Sequence, residues 1–263
     1  MGKKSIIIVG GEEAANMTID GKPYGLYSHP LKKWFVKFML YFADEIVAVS
    51  EYNKKEIIEN TGTGPKKIKL IYHGFDSNYY RKLPDVEKKN IVVTVGNINR
   101  ENYLRKGLKI FVESAAFLPK VQFFLVGAPQ EEDNTCEELK LHATSNVIFT
   151  GYLSFEGLTK LLSEASVYVQ LSKHEAFGCS VAEAMLHECV PVVSRNTALP
   201  EVVGDCGFFV NDFISKDLAD KIKEALVCQD LGKKARKRIK EHFSLEKRKD
   251  GILKLLETME NTK

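Results

Sequence analysis

The sequence predicts an α/β chain in which one complete, doubly wound parallel sheet follows a partial α/β lobe. Three observations lead there. Short β-branched runs alternate with longer stretches of helical periodicity, as buried parallel strands alternate with crossover helices. After residue 89 the alternation is regular and supplies six strands, enough for a full doubly wound domain. Before residue 84 it supplies only three, too few for a free-standing domain of this class.

In the first region the strands read "SIIIVGG", "EIVAVS" and "KIKLIY", with helices near 31–42 and 53–60. The stretch "HGFDSNYYRKLPDVEKKN" (73–90) is polar with a single proline and reads as a linker. Strands then follow at 90–96, 121–127, 147–152, 167–172, 190–194 and 207–210. Helical patterns fill 108–118, 136–143, 155–164, 179–187 and 218–227. Two more close the chain, around 229–242 and over 244–261. In the last, Leu245, Ile252, Leu255 and Leu256 share a face, while Gly251 argues against one unbroken helix. The chain therefore divides into a lobe over 1–83, a complete domain over 84–243, and a C-terminal helix over 244–263 packing back on the first lobe.

A formal charge of +3, from 38 basic and 35 acidic residues, is too balanced to imply nucleic acid. Five widely spaced cysteines, an odd number without a C-x-x-C pair, read as reduced thiols in a cytoplasmic protein. The apolar run in "MGKKSIIIVGGEE" is too short for a signal-peptide core, and no stretch approaches a membrane span. "LKKWFVKFMLYFAD" (31–44) is aromatic and basic. It suits either a packed helix edged by lysines or a helix lying peripherally on the inner membrane face. A truncated sheet would leave Trp34, Phe35, Phe38 and Phe42 uncovered, which favours homo-oligomers or docking on a partner or membrane. No Asp-x-Asp element is present, so no obligate metal is expected.

The stretch "LSKHEAFGCSVAEAM" (171–185) carries the chemistry. Gly178 follows a strand end by a short loop and precedes a helix, the place where open parallel sheets bind ligands. Free N–H groups and the helix dipole favour an anion there, and glycine lets a backbone come close. Glu175 lies in the loop and Glu183 just over one turn inside the helix. Either alone is explained by capping or solvation. Together, flanking a phosphate-binding turn, they suit a sugar nucleotide, with hydroxyls at both ends and a diphosphate between.

"SEASVYVQLSKHEAFGCSVAEAMLHECVPVVSRNTALPEVVGDCGFFV" (163–210) closely resembles the donor-binding segment of retaining glycosyltransferases of family four, which have the GT-B fold. The family's E-x7-E element falls on Glu175 and Glu183, and its aromatic-glycine turn on Phe177-Gly178. "ADEIVAVSEYNKKEI" and "KIKLIYHGFD" look like the last elements of its amino-terminal Rossmann-like domain, and "VTVGNINRENYLRKGL" like the opening of its donor domain. The resemblance implies that Glu175 contacts the donor sugar and Glu183 the ribose. It places the backbone of Phe177, Gly178, Cys179 and Ser180 beside the sugar and diphosphate. Gly96 would approach the phosphates, Lys106 would neutralise the leaving diphosphate, and Gly151-Tyr152-Leu153 would sit near the base.

The family's arginine after the strand glycine is replaced here by Asn97; Arg100 or Arg105 would supply the guanidinium, with Arg100 favoured. Gly10-Gly11-Glu12 stands where the family often presents a histidine. The reading is a glycosyltransferase that takes a UDP-, GDP- or ADP-sugar, uses no obligate cofactor, and passes the glycosyl unit with retention to a glycan, lipid or small molecule. The alternative is a nucleotide-sugar-binding module or fragment without transfer activity. A dinucleotide-dependent oxidoreductase is disfavoured, because neither "VGGEEA" nor "VGNINRENYLRKG" completes G-x-G-x-x-G.

Overall fold

The computed structural model describes residues 3–130 and 133–261. The outermost residues of the expected first and last segments, 1–2 and 262–263, lie outside the described residues. The first lobe comprises β1 (Ile6–Val9), β2 (Met17–Ile19), β3 (Lys22–Tyr24), α1 (Pro30–Phe42), β4 (Glu45–Ala48), α2 (Glu51–Thr61) and β5 (Ile68–Leu70). Strands β1, β4 and β5 form a parallel sheet in the order β1-β4-β5. Pro30 opens α1, where its missing N–H costs nothing. Ser50 caps α2 by accepting from Asn53 N, and Gly62 closes it in a left-handed conformation.

Strands β2 and β3 form an antiparallel hairpin absent from the sequence reading. Its two-residue turn is Asp20-Gly21, both at positive φ, a pair that hairpins favour. This turn projects from the first lobe toward the second.

The second unit runs β6 (Lys89–Val95), α3 (Arg100–Arg105), α4 (Leu108–Ser114), β7 (Gln122–Val126), α5 (Thr135–Leu141), β8 (Val147–Gly151), α6 (Phe155–Glu164) and β9 (Ala165–Gln170). It continues with α7 (Cys179–Leu186), β10 (Val190–Ser194), α8 (Leu199–Val203), β11 (Phe208–Val210), α9 (Ser215–Val227) and α10 (Asp230–His242). All six strands are parallel, in the order β8-β7-β6-β9-β10-β11. The chain reverses its winding between β6 and β9, so the crevice outside their carboxyl ends is the switch point of the sheet. β9 is buried along its whole length, as a central strand covered on both faces must be. One face packs on α7, α8 and α10 and the other on α4, α5 and α9, giving two apolar layers.

Two expectations change. Residues 73–90 are not a free linker. Phe75 is buried in the second unit's core, its N–H donates to Phe243 O at 2.9 Å, and its carbonyl accepts from Leu245 N at 3.1 Å. Lys88 threads further on, donating to the carbonyls of Leu162, Ala165 and His187. The apolar ring inside a polar stretch pins it.

The last helix, α11 (Leu245–Asn261), is also unbroken at Gly251. A β-carbon there would lie 3.0 Å from Ile71 Cγ2, so the glycine buys a close approach to the first lobe. Leu255 and Met259 join Val47 and Ile71 in one apolar cluster.

Candidate active site

The carboxyl ends of β6 and β9 supply the two walls of the crevice. β6 ends at Gly96, where a β-carbon would meet Lys106 Cδ at 2.9 Å. Glycine therefore lets the lysine stem lie flat against the strand end, and Lys106 Nζ donates to Val95 O at 3.1 Å. Burial pushes its ammonium below the usual lysine range, and the carboxylate of Glu175 pulls it back up.

Asn97 follows, its carbonyl accepting from Asn102 Nδ2 at 2.9 Å. Asn99 caps α3 by accepting from Asn102 N, which shapes the loop into a short helix that periodicity could not reveal in six residues.

That helix decides which arginine enters the site. Arg100, at its first position, donates its backbone N–H to Asp133, bonds Glu138 Oε2 at 2.7 Å, and lies over the Tyr103 ring. Arg105, more than a turn later, donates to Glu175 Oε1 at 3.1 Å, His174 O at 3.2 Å and Asn102 Oδ1 at 2.8 Å. The expectation favoured Arg100; the guanidinium that meets the Glu175 carboxylate belongs to Arg105.

Glu175 is held hard. Gln170 Nε2 and Ser172 Oγ each donate to its Oε1 at 2.8 Å, alongside Arg105, and its own N–H donates to Thr197 Oγ1 at 3.0 Å. All three side-chain bonds converge on one oxygen, and among the described residues none is made to Oε2. Gln170 and Ser172 went unnoticed in the sequence; their signal is polar residues at the end of an otherwise apolar buried strand.

Phe177 is buried among Tyr72, His73, Phe75 and Phe243. Gly178 turns into α7 with φ of 101°, and a β-carbon there would stand 2.7 Å from Leu199 Cδ2, so the position demands glycine twice over. The first-turn N–H groups of α7, at Cys179 and Ser180, open on a cavity of about 370 Å³. Its opposite wall is Gly10, Gly11 and Glu12, at the end of β1.

Glu183 differs from Glu175 in every respect. Burial alone pushes its carboxyl up to about 7, with no nearby cation and no hydrogen bond to it among the described residues. The turn Gly151-Tyr152-Leu153 lies on the same rim of the sheet: Gly151 O accepts from Gly127 N, Tyr152 is exposed, and Leu153 packs on the core. A second cavity of about 340 Å³ adjoins the first, sharing Glu12, Tyr24, Glu101 and Arg105 with it. Tyr24, from the unforeseen hairpin, faces both. Among the described residues no group of three or more His, Cys, Asp and Glu side chains could hold a metal ion.

The site loop rests on the first lobe. Lys173 Nζ pairs with Asp20 at 2.9 Å, His174 Nε2 with Glu56 Oε1 at 2.9 Å in a buried contact, and Ser50 Oγ donates to Ala176 O at 2.6 Å. From α8, the Glu201 carboxylate accepts the N–H groups of Glu51 and Tyr52 at the start of α2.

The family model for glycosyl transferases group 1 matches residues 76–242, and that for glycosyltransferase family 4 matches residues 20–79. A Campylobacter jejuni N,N'-diacetylbacillosaminyl-diphospho-undecaprenol alpha-1,3-N-acetylgalactosaminyltransferase is 30% identical over 182 residues, covering 68% of this chain and 46% of that protein. The Bacillus anthracis N-acetyl-alpha-D-glucosaminyl L-malate synthase is 24% identical over 238 residues, 84% of this chain and 61% of that one. The chain spans about half the length of the curated relatives it matches.

Among solved structures, Anabaena Alr3699/HepE in complex with UDP superposes with a TM-score of 0.82 at 20% identity, over 97% of this chain and 72% of that one. Sucrose-phosphate synthase from Thermosynechococcus elongatus does so with a TM-score of 0.76 at 24% identity, over 89% and 63%. The six-stranded sheet and the three-stranded lobe are thus parts of the GT-B fold, and this chain belongs to the family of glycosyl transferases group 1.

Proposed function

We propose that the cleft binds a nucleotide diphosphate sugar and that the chain transfers its glycosyl unit to an acceptor with retention at the anomeric carbon. The observation that supports this best is the contrast between two carboxylates on either side of the Gly178 turn. Glu175 is fixed by three donors with one oxygen left over, as a residue that positions sugar hydroxyls should be. Glu183 is half-buried with no donor to its carboxylate among the described residues, so a ribose diol would supply hydrogen bonds to it.

The glycosyl–oxygen bond breaks with negative charge gathering on the diphosphate. In this reading Lys106, Arg105 and the amino terminus of α7 meet that charge already in place, so little reorganisation is needed during reaction. Phe177 to Ser180 supply the backbone beside the sugar, Gly96 and Asn97 the turn beside the phosphates, and Tyr152 and Leu153 the rim beside the base. Five free cysteines suit a reducing compartment, and we place the protein in the cytoplasm. The relatives' names mention a diphospho-undecaprenol and an L-malate, which support an acceptor that is a glycan, a lipid or a small molecule.

A second reading, donor binding without transfer, is favoured by the three-stranded first sheet: the first lobe lines the cavity beside Gly178 with Gly10, Gly11, Glu12 and the hairpin's Tyr24. Calorimetric titration with UDP-, GDP- and ADP-sugars, beside an assay for glycosylated product, separates the two. Binding with product supports transfer; binding without product supports the module. Absence of binding to all three donors would refute both.

A further inference from the structure

Helix α1 carries two opposed apolar faces. At about 100° per residue, Val36 and Leu40 fall on one side, and both are buried in the first lobe's core. Trp34, Phe35, Phe38, Met39, Tyr41 and Phe42 spread over the opposite side, and all are exposed, from 42% at Met39 to 76% at Tyr41. The rings run together along the helix, with Trp34 stacked on Phe38 at 5.6 Å and Phe38 meeting Phe42 at 4.6 Å. By the same angular spacing Lys32 edges this strip on one side and Lys37 on the other. The helix contains no acidic residue. Lys67 adds a cation at its far end, donating to the carbonyls of Leu40 and Tyr41.

We infer that α1 is a docking helix that lies in the plane of an anionic lipid surface, its aromatic strip seated among the acyl chains and its lysines at the phosphates. Charge decides the occupant. A second copy of this chain, paired across a twofold axis on the same strip, would set lysine rims against each other. Anionic headgroups meet those rims on both sides, and lysine stems reach outward along apolar rings to do so. Tryptophan and tyrosine on such a strip are the side chains that settle at a membrane–water boundary. His29 and Lys32, at the start of α1, also line the cavity that contains Tyr24 and Arg105, so docking would set that opening beside the headgroups. The inference stands whether or not the chain transfers sugar.

Trp34 is the only tryptophan in the sequence, so its emission reports the strip directly. The protein is titrated with phosphatidylcholine vesicles, with and without phosphatidylglycerol, while emission and co-sedimentation are followed. A blue shift and co-sedimentation with the anionic vesicles alone are expected. The double variant Lys32→Gln/Lys37→Gln should weaken partition about 25-fold, at about fivefold per lysine, and added salt should act in the same direction. Phe35→Ser/Phe38→Ser should abolish the shift while leaving the circular dichroism of the chain unchanged. No response to anionic vesicles would overturn the inference. So would equal binding to both vesicle types, or emission already blue-shifted without lipid together with concentration-dependent dimers in sedimentation velocity, which would assign the strip to a second copy.

Discussion

Raising the pH from about 6 to about 8 should tighten binding of UDP-glucose roughly tenfold, and Glu183→Gln should remove that dependence. In the free protein burial holds the Glu183 carboxyl at about 7 against the ordinary 4.5. A ribose diol donating hydrogen bonds to it would favour the ionised form, so ligand binding would expel a proton. Near pH 6 only about one molecule in ten has Glu183 ionised, whereas near pH 8 almost all do; affinity then falls about a decade per pH unit below 7.

The same shift fixes the sign of a stability effect. A carboxyl whose folded-state value is raised contributes stability below its unfolded value and loses it as pH rises through about 7. Glu183→Gln should therefore raise the Tm at about pH 8 and change it little near pH 5. The interval from 4.5 to about 7 sets a ceiling of roughly 3 kcal/mol, about half of that once the group's partial exposure is allowed for. UDP-glucose is the right probe because both its phosphates are esterified, whereas a free terminal phosphate titrates near 6. His73, packed edge-on against Phe177, is held down at about 4 by burial and by Arg248, so it does not titrate in this window. Calorimetry at both pH values in two buffers of different ionisation enthalpy gives affinity and proton release together. Flat affinity across the window, or a glutamine variant that keeps the slope, would refute the assignment.

Lys106→Ala should weaken UDP-glucose by roughly 1.5–3 kcal/mol while leaving uridine almost unaffected, because its task is charge neutralisation; equal losses in calorimetry would remove it from the phosphates. Arg105→Ala should weaken the same ligand far more than Arg100→Ala, since Arg100 is committed to Glu138; a reversed order would reinstate Arg100. Glu175→Ala should weaken UDP-glucose but spare UDP, a split that equal losses for the two ligands would contradict. Gly178→Ala should destabilise the fold by about 1–3 kcal/mol, since it combines a positive φ with a contact on Leu199; a denaturant midpoint unmoved by the change would show that the turn is not constrained.

Most of the architecture was legible because buried parallel strands write themselves as continuous β-branched runs, and all nine strands read this way are present. What escaped were the short elements. The β2–β3 hairpin has strands of three residues, below the length at which alternation is informative, although Asp20-Gly21 was a usable signal. Helix α3 spans six residues, less than two turns, and only its Asn99 cap betrays it. Without that helix the reading favoured Arg100; with it, Arg100 bonds Glu138 and Arg105 bonds Glu175. Gly251 misled for a related reason. Its cost to a helix was visible in sequence, while its benefit, room against Ile71, exists only in the packed structure.

The seam between the lobes gives the short first region a part in the candidate site although it contributes neither carboxylate. The N–H groups of α7 can be presented to a diphosphate only if the loop before Gly178 is fixed, and that loop has anchors on both sides. Its own domain holds it through Arg105, whose carbonyl accepts from Lys173 N, and through Thr197 and Leu199. The first lobe holds it through Asp20, Glu56 and Ser50. The His174–Glu56 contact is buried, so withdrawing the first lobe would strand a polar group at each end as well as uncover Phe177. A domain motion that opened the cleft widely would have to break all of these together. The cleft geometry around Glu175 is therefore a joint property of both lobes, and the first lobe acts as the bed on which the loop before Gly178 is set.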